Sequence, residues 1–256
     1  MKEYIGIFDS GLGGITTIKE LIRQLPDENV VFFADTANVP YGSKTKKEIC
    51  VLARANVEFL KQYNLKALVV ACNTVASNAM DVIEIDVPVY NVIEPAALKA
   101  VNTTQNKKVG LIATTLTVNS KRYDEVINRI DSDIKVYSNE APKLVPLIEA
   151  GKFDSDNEEM NEAIREYVKP LINEGIDTLI LGCTHYDVLI DAIEKMYPEL
   201  NIVSSSRCVI DNLKDYLDKN NLHSNEKERL YFVSGNPDEF KITASKIIKD
   251  IETRQK

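Results

Sequence analysis

Two cysteines, Cys72 and Cys183, occupy the same place in two similar stretches of sequence. The first stretch reads ALVVACNT and the second TLILGCTH, so each cysteine follows a continuous apolar run and precedes polar side chains. The ordinary pKa of a cysteine thiol is ~8.5, so near neutral pH it supplies both a nucleophilic thiolate and a proton-bearing thiol. Such a pair is suited to removing a carbon-bound proton and returning one.

Each cysteine taken alone is more simply explained as a buried and inert thiol, because cysteine is among the most buried residue types. The equivalent positions of Cys72 and Cys183 favour a catalytic pair instead. Cys50 lies beside apolar residues in a predicted helix and is expected to be a core or half-buried thiol. The chain has 4 cysteines and no Cys-x-x-Cys spacing, which argues against a zinc site or a redox motif.

Histidines and acids near these stretches are the candidate partners of the thiols. His185 follows Cys183 by two residues and is expected in the same cleft, whereas His223 lies in a polar stretch and is expected at the surface. Asp9, Asp35 and Glu149 are candidates to polarise the first thiol or to bind a substrate amine. Because a nearby carboxylate disfavours a thiolate, Asp9 should act by proton exchange or by binding an ammonium group.

The predicted strands and helices that carry these residues are typical of an α/β protein. The apolar runs before both cysteines are typical of strands buried on both faces, and open α/β sheets bind ligands at the carboxyl ends of such strands. Residues 4–9 predict another strand, followed by the turn SGLGG and a helix over 15–25. This turn matches neither a dinucleotide fingerprint nor a P-loop. Its glycines either let the helix approach the sheet or expose backbone N–H groups that hold a carboxylate.

The order of strands and helices restarts near residue 108, which indicates an internal duplication. We expect two pseudo-symmetric doubly wound α/β lobes with mostly parallel sheets and the active site in the cleft between them. Residues 1–95 plus 207–256 should form the lobe with Asp9 and Cys72, and residues 96–206 the lobe with Cys183 and His185. In the second half, the sequence predicts a proline-bearing loop over 142–146. After residue 206 it predicts helices over 208–217 and 237–251 and a strand over 230–234. These last elements have no counterpart in the repeat and should return to the first lobe.

Length, composition and charge argue against some kinds of partner and location. The chain has 256 residues, of which 44% are hydrophobic, and a net charge of -8 with no long basic stretch, so nucleic acid is not expected as a partner. No apolar run reaches membrane-spanning length, so no membrane association is expected. The first residues lead directly into a strand pattern without a secretory signal, which predicts a cytoplasmic protein with reduced thiols.

Short motifs along essentially the whole chain resemble, in the same order, those of the glutamate racemases in the aspartate/glutamate racemase family. They are FDSGLGG (8–14), PYG (40–42), ACNT (71–74), EP (94–95), LVPL (144–147) with Glu149, LGCTHY (181–186) and GNP (235–237). The resemblance implies cofactor-independent racemisation of L-glutamate to D-glutamate, which supplies peptidoglycan synthesis. It implies that the enzyme uses no cofactor and no metal. It also implies glutamate as the small-molecule partner and a homodimer as the assembly.

The resemblance also assigns roles to individual residues. Cys72 and Cys183 match the two catalytic bases, with Asp9 as the partner of Cys72 and His185 as the partner of Cys183. The matching substrate-binding positions are Asp9, Ser10, Tyr41, Gly42, Asn73, Thr74, Thr184 and His185. Thr114 and Thr117 are further candidates for hydrogen bonds to the substrate. Three positions depart from the family pattern, with Ala113, Ala141 and Ser204 where Gly, Cys and Asp are expected, and Ser204 could alter contacts that close the lobes.

Two other functions remain open on the sequence. One is racemisation of another acidic amino acid, such as aspartate, by a related pair of cysteines. The other is a two-lobed binding or regulatory module whose cysteines are structural or redox-active. The absence of a visible signal peptide argues against a secreted solute receptor.

Overall fold

The structure is a computed structural model, and it describes residues 2–249 and 251–256. Its strands are, in chain order, β1 (Tyr4–Asp9), β2 (Val30–Ala34), β3 (Leu65–Val70), β4 (Val89–Asn91), β5 (Lys108–Ala113), β6 (Lys135–Glu140), β7 (Thr178–Gly182), β8 (Asn201–Ser204), β9 (Arg229–Val233) and β10 (Thr253–Gln255). Its helices are α1 (Gly14–Gln24), α2 (Lys46–Leu60), α3 (Asn73–Asn78), α4 (Ile93–Thr103), α5 (Thr115–Asn119), α6 (Arg122–Ile130), α7 (Leu144–Glu149), α8 (Glu158–Asn173), α9 (Ile190–Met196), α10 (Ser205–Asn220) and α11 (Pro237–Ala244). Short 3₁₀ turns cover Thr36–Asn38, Tyr41–Ser43, Met80–Val82 and Thr184–Leu189.

The strands form two sheets in which every described pair is parallel. The first sheet has the order β10-β9-β2-β1-β3-β4 and the second β6-β5-β7-β8. The apolar runs before the two cysteines form β3 and β7, and every residue of these strands is buried, as a strand covered on both faces by helices requires. The predicted α/β fold with two mostly parallel sheets is confirmed.

The two sheets repeat one connection pattern, which supports the internal duplication. The order β6-β5-β7-β8 of the second sheet repeats the order β2-β1-β3-β4 within the first. The unmatched strands return to the first sheet as expected, because β9 pairs with β2 and β10 with β9. The carboxyl ends of β3 and β7 are therefore equivalent positions in the two halves.

Two boundaries differ from the sequence prediction. The last helix, expected over 237–251, ends at Ala244, and Thr253–Gln255 forms β10 instead. Ile251 is buried, and the Lys256 N–H donates to Val233 O at 2.9 Å, so pairing with a distant strand fixes this segment. Helix α7 begins at Leu144 although Pro146 favoured a loop. A proline in the first turn costs little, because N–H groups there have no partner within the helix.

Helix α10 joins the two halves, since it packs against both α1 and α4. Thr16 of α1 contributes a buried polar contact to this junction: its Oγ1 lies 3.0 Å from Ser206 Oγ, and it donates to Thr184 O at 3.0 Å. The boundary predicted after residue 95 falls within α4 and stays a prediction. Among the described helices, none combines the length and the apolar character needed to cross a membrane.

Candidate active site

Cys72 and Cys183 line one cavity of about 310 Å³, which is large enough for a small amino acid. Cys72 lies between β3 and α3, and Cys183 lies between β7 and the 3₁₀ turn Thr184–Leu189. Both thiols therefore stand at the carboxyl ends of central strands, one from each sheet. Of the other predicted site residues, the cavity is lined by Ser10, Tyr41, Gly42, Asn73, Thr74, Thr114, Thr184 and His185.

The Cys72 thiol is shielded from solvent, and its surroundings favour the protonated form. Its side chain is 4% exposed, and Sγ lies 3.7 Å from Ser10 Oγ. Burial, followed by the negative charge of Asp9, raises the pKa of Cys72 to about 12. Cys72 can therefore act as a base only when a bound substrate changes the charge around it.

Asp9 stands fully buried behind the cavity and connects the two halves of the site. Its Oδ1 accepts a hydrogen bond from the Gly11 N–H at 2.9 Å, and its Oδ2 accepts one from Thr184 Oγ1 at 3.0 Å. Burial raises the pKa of Asp9, while the positive charge of His185 acts in the opposite direction. The carboxyl group that faces Cys72 is thus oriented by a residue next to Cys183.

The backbone N–H groups of the glycine-rich turn after β1 donate hydrogen bonds to carboxylates of the protein itself. Gly11 N–H binds Asp9, and Leu12 N–H donates to Glu149 Oε1 at 3.0 Å. A Cβ at Gly11 would lie 2.5 Å from Glu149 Oε1, and one at Gly14 would lie 2.6 Å from Asp9 Cβ. The glycines therefore allow the close approach of helix and sheet that one of our two interpretations required.

Cys183, His185 and Glu149 form a hydrogen-bonded chain. Cys183 Sγ lies 3.6 Å from His185 Nδ1, and His185 Nε2 lies 2.6 Å from Glu149 Oε1. Burial alone would lower the pKa of His185, but its bonds to Cys183 and Glu149 outweigh burial and raise it well above its ordinary value. Burial acts to raise the pKa of Glu149, yet the bond to His185 lowers it. The chain thus favours an imidazolium beside the second thiol.

Two of the acids considered as partners of the first thiol or of a substrate amine make their hydrogen bonds to other groups. Glu149 contacts His185, on the side of the second thiol. Asp35 accepts from Tyr41 OH at 2.5 Å and from Ser234 Oγ at 2.7 Å, so it fixes the tyrosine. Burial and the Asp35 carboxylate raise the pKa of Tyr41, which keeps the phenol protonated.

Several binding candidates are held by polar partners behind the cavity. Asn73 Oδ1 accepts from Tyr123 OH at 2.7 Å, and Asn73 Nδ2 donates to Ser205 Oγ at 3.1 Å. Thr74 and Thr114 face each other across the two halves, with 3.1 Å between their hydroxyl oxygens. No local pattern in the sequence points to Tyr123 and Ser205, because both reach Asn73 from distant elements.

Thr117 and the three departures from the family pattern make contacts within the protein, and of these four described residues Ala141 alone also lines the cavity. Thr117 accepts a bond from Thr114 Oγ1 at 3.0 Å. Ala141 O accepts from Tyr186 OH at 3.0 Å, and a Cβ at Gly182 would lie 2.9 Å from that of Ala113. Ser204 caps α10 by accepting from Arg207 N at 3.1 Å and donates to Asp187 Oδ2 at 2.8 Å.

Acidic, cysteine and histidine side chains are the groups that could hold a metal ion. Within residues 2–249 and 251–256, no three or more of them are arranged to hold a metal ion.

Glu149→Gln should lower kcat/KM by on the order of tenfold, because a neighbouring charge shifts a pKa by about one unit or more. Without the carboxylate, the pKa of His185 falls. Activity that requires protonated His185 should then be lost at a lower pH than in the unmodified protein. The alkaline limb of the pH profile therefore moves toward neutral pH. The measurement is a pH profile of kcat/KM in both directions.

Glu166→Gln is the control for this variant, because Glu166 is an exposed partner of Lys143 on the surface. Its profile should match that of the unmodified protein. An unchanged alkaline limb in Glu149→Gln would show that Glu149 does not set the protonation of His185.

Known proteins resemble most or nearly all of the chain. The model of the Asp/Glu/Hydantoin racemase family matches residues 8–212. A glutamate racemase from Sulfurihydrogenibium sp. is 39% identical over 254 residues, which cover 98% of this chain and 96% of that protein.

Two solved structures of glutamate racemases superpose closely on the chain. One, an isoform from Bacillus anthracis, has a TM-score of 0.93 at 33% identity and covers 99% of this chain and 97% of its own. The other, from Francisella tularensis and in complex with D-glutamate, has a TM-score of 0.89 at 31% identity. The match covers 99% of this chain and 96% of that one. With these matches over nearly its whole length, the chain belongs to the Asp/Glu/Hydantoin racemase family.

Proposed function

We propose that this protein is a glutamate racemase, which interconverts L-glutamate and D-glutamate by acid/base catalysis with two thiols. The observation that carries this proposal is the pair of strand-end thiols, Cys72 and Cys183, on one small cavity. Each thiol has its own acid or base partner, Asp9 or His185. The relatives that match nearly the whole chain are named glutamate racemases.

Inversion proceeds by removing the α-proton on one face and adding a proton on the other. In one direction Cys72, as thiolate, takes the α-proton, and the electron pair of the C–H bond stays on the substrate as a planar carbanion. Cys183, as thiol, then delivers its proton to the opposite face and becomes a thiolate. In the other direction the two cysteines exchange roles, so both directions use the same groups.

The partners of the thiols set which of them holds a proton. The ammonium group of glutamate, bound near Asp9, brings a positive charge that lowers the pKa of Cys72 from its raised value. His185, protonated through Glu149, places a positive charge 3.6 Å from the Cys183 sulfur. The site is therefore asymmetric, with a carboxyl group behind one thiol and an imidazolium behind the other.

The hydroxyl and amide groups on the cavity wall suit an amino acid with two carboxylates. Ser10, Thr74 and Thr184 offer hydroxyl groups, and Asn73 offers an amide. The segment with Tyr41 and Gly42 also lines the cavity. We assign these residues to substrate binding, with Thr114 as an additional hydroxyl.

Circular dichroism of each enantiomer in the presence of the protein tests this function against its alternatives. The signals of both L- and D-glutamate should decay to zero. Decay only with aspartate would establish the rival racemase, and no decay with either amino acid would leave a binding module.

Activity should persist after exhaustive dialysis against a chelator, and the protein should show no visible absorption band. The reason is that the two thiols and their partners already supply the acid and the base that inversion requires. The measurement compares turnover before and after dialysis. Recovery of lost activity on adding pyridoxal phosphate or a divalent ion would contradict a mechanism that uses no cofactor.

The cellular role of the enzyme, its location, its lobes and its assembly are also proposals. We propose that it supplies D-glutamate for peptidoglycan synthesis and acts in the cytoplasm, where its free cysteines stay reduced. We further propose lobes formed by residues 1–95 plus 207–256 and by 96–206, and a homodimer. Light scattering of the purified protein tests the homodimer.

A further inference from the structure

The proposed substrate carries a net negative charge, and the protein must bind it despite being acidic itself. Glutamate at neutral pH has two carboxylates and one ammonium group, while the chain has a net charge of -8. A carboxylate, Asp9, lies buried directly behind the cavity. Attraction of the substrate therefore calls for a positive charge at the cavity, and this reasoning rests on the proposed function.

Lys44 is the one lysine or arginine among the described residues that line the cavity. Its backbone is fixed on both sides. The Lys44 N–H donates to Tyr41 O at 3.1 Å, and Thr45 caps helix α2 through a reciprocal pair of bonds with Glu48. The side chain is half-buried, so it lies where the cavity meets solvent.

The ammonium group of Lys44 is available to a ligand. In the part of the chain that the structure describes, no carboxylate pairs with it within 4.0 Å. The nearby Glu48 carboxylate is instead bound by the N–H of Thr45 at 2.7 Å and by its hydroxyl at 2.6 Å. The other positive charge at the cavity, on His185, is already matched by Glu149.

We propose that Lys44 is the residue that recruits the acidic substrate, by supplying the unpaired positive charge at the mouth of the cavity. It acts on binding and selects amino acids that carry a net negative charge. Because the thiols and their partners are a separate set of residues, Lys44 takes no part in proton transfer.

The test is Lys44→Gln, with kcat and KM measured from both enantiomers. KM should rise roughly three- to tenfold, as expected for a partly screened charge pair, while kcat stays within about twofold. The increase should be equal in the two directions, because the equilibrium constant of racemisation is one. Lys44→Arg should restore KM, and Lys47→Gln, which changes an exposed lysine outside the cavity, should leave it unaltered.

Salt dependence separates recruitment by charge from a structural role. The KM of the unmodified enzyme should rise between low salt and about 1 M salt, where the Debye length is about 3 Å, whereas the KM of Lys44→Gln should hardly change. An unchanged KM in Lys44→Gln, a loss confined to kcat, or equal salt dependence in both proteins would overturn the inference. An unmodified protein that does not racemise glutamate would overturn the proposed function, and the inference with it.

Discussion

Replacing either active-site thiol by a hydroxyl, in Cys72→Ser or Cys183→Ser, should abolish racemisation in both directions. A serine hydroxyl is a far weaker acid than a thiol, so it forms no useful amount of the conjugate base near neutral pH. Loss of one positioned acid or base costs on the order of 10²–10⁴ in rate, and each cysteine serves as the base in one direction and the acid in the other. The measurement is the decay of circular dichroism from each enantiomer.

Cys208→Ser is the matched control, because Cys208 is also buried and the pKa of its thiol is also raised to about 12. It lies on α10 in a different groove. This variant should keep near-normal turnover, and all three should keep the thermal midpoint of a folded protein. If either Cys72→Ser or Cys183→Ser retained near-normal turnover, the assignment of two bases would be wrong.

In deuterated water, the product enantiomer should acquire deuterium at the α-carbon while recovered substrate stays largely protiated at early times. The incoming proton comes from the second thiol, which exchanges with solvent, whereas the removed proton remains on the first. Two fixed bases on opposite faces need sulfurs ~3–3.5 Å from the reacting carbon, and so roughly 6–7 Å apart. A disulfide needs ~2 Å between sulfurs, so the closed enzyme cannot bridge them.

Mass spectrometry of both enantiomers after a few per cent conversion tests this arrangement from either starting enantiomer. Equal early labelling of substrate and product would point to one base that exchanges its proton on both faces. That result would contradict the placement of Cys72 and Cys183 on opposite sides of the α-carbon.

The parts of the site that follow from local sequence were predictable. The apolar runs before Cys72 and Cys183 form β3 and β7, and parallel strands end at one edge of their sheet, so both thiols were expected at a ligand-binding edge. His185 was expected beside Cys183 because only one residue separates them. The repeated succession of strands and helices along the chain also followed from the pattern of apolar runs.

The contacts of the remaining acids depend on how distant segments dock, and no local pattern carries that information. Glu149 reaches His185 only because α7 packs against the 3₁₀ turn Thr184–Leu189. Asp35 meets Ser234 because β9 adds to the edge of β2. Both acids were therefore identified as polar groups of interest, but the group that each one contacts was not.

The bonds of Asp9 and Glu149 run in opposite directions between the two halves of the site. Asp9, at the end of β1 in the first sheet, accepts from Thr184 of the second half, while Glu149 of the second half accepts from Leu12 of the first. Asp9 and Glu149 are the acids behind the two thiols, and each is thus held in part by the opposite half. Neither half on its own therefore contains the complete set of bonds that orients these two acids.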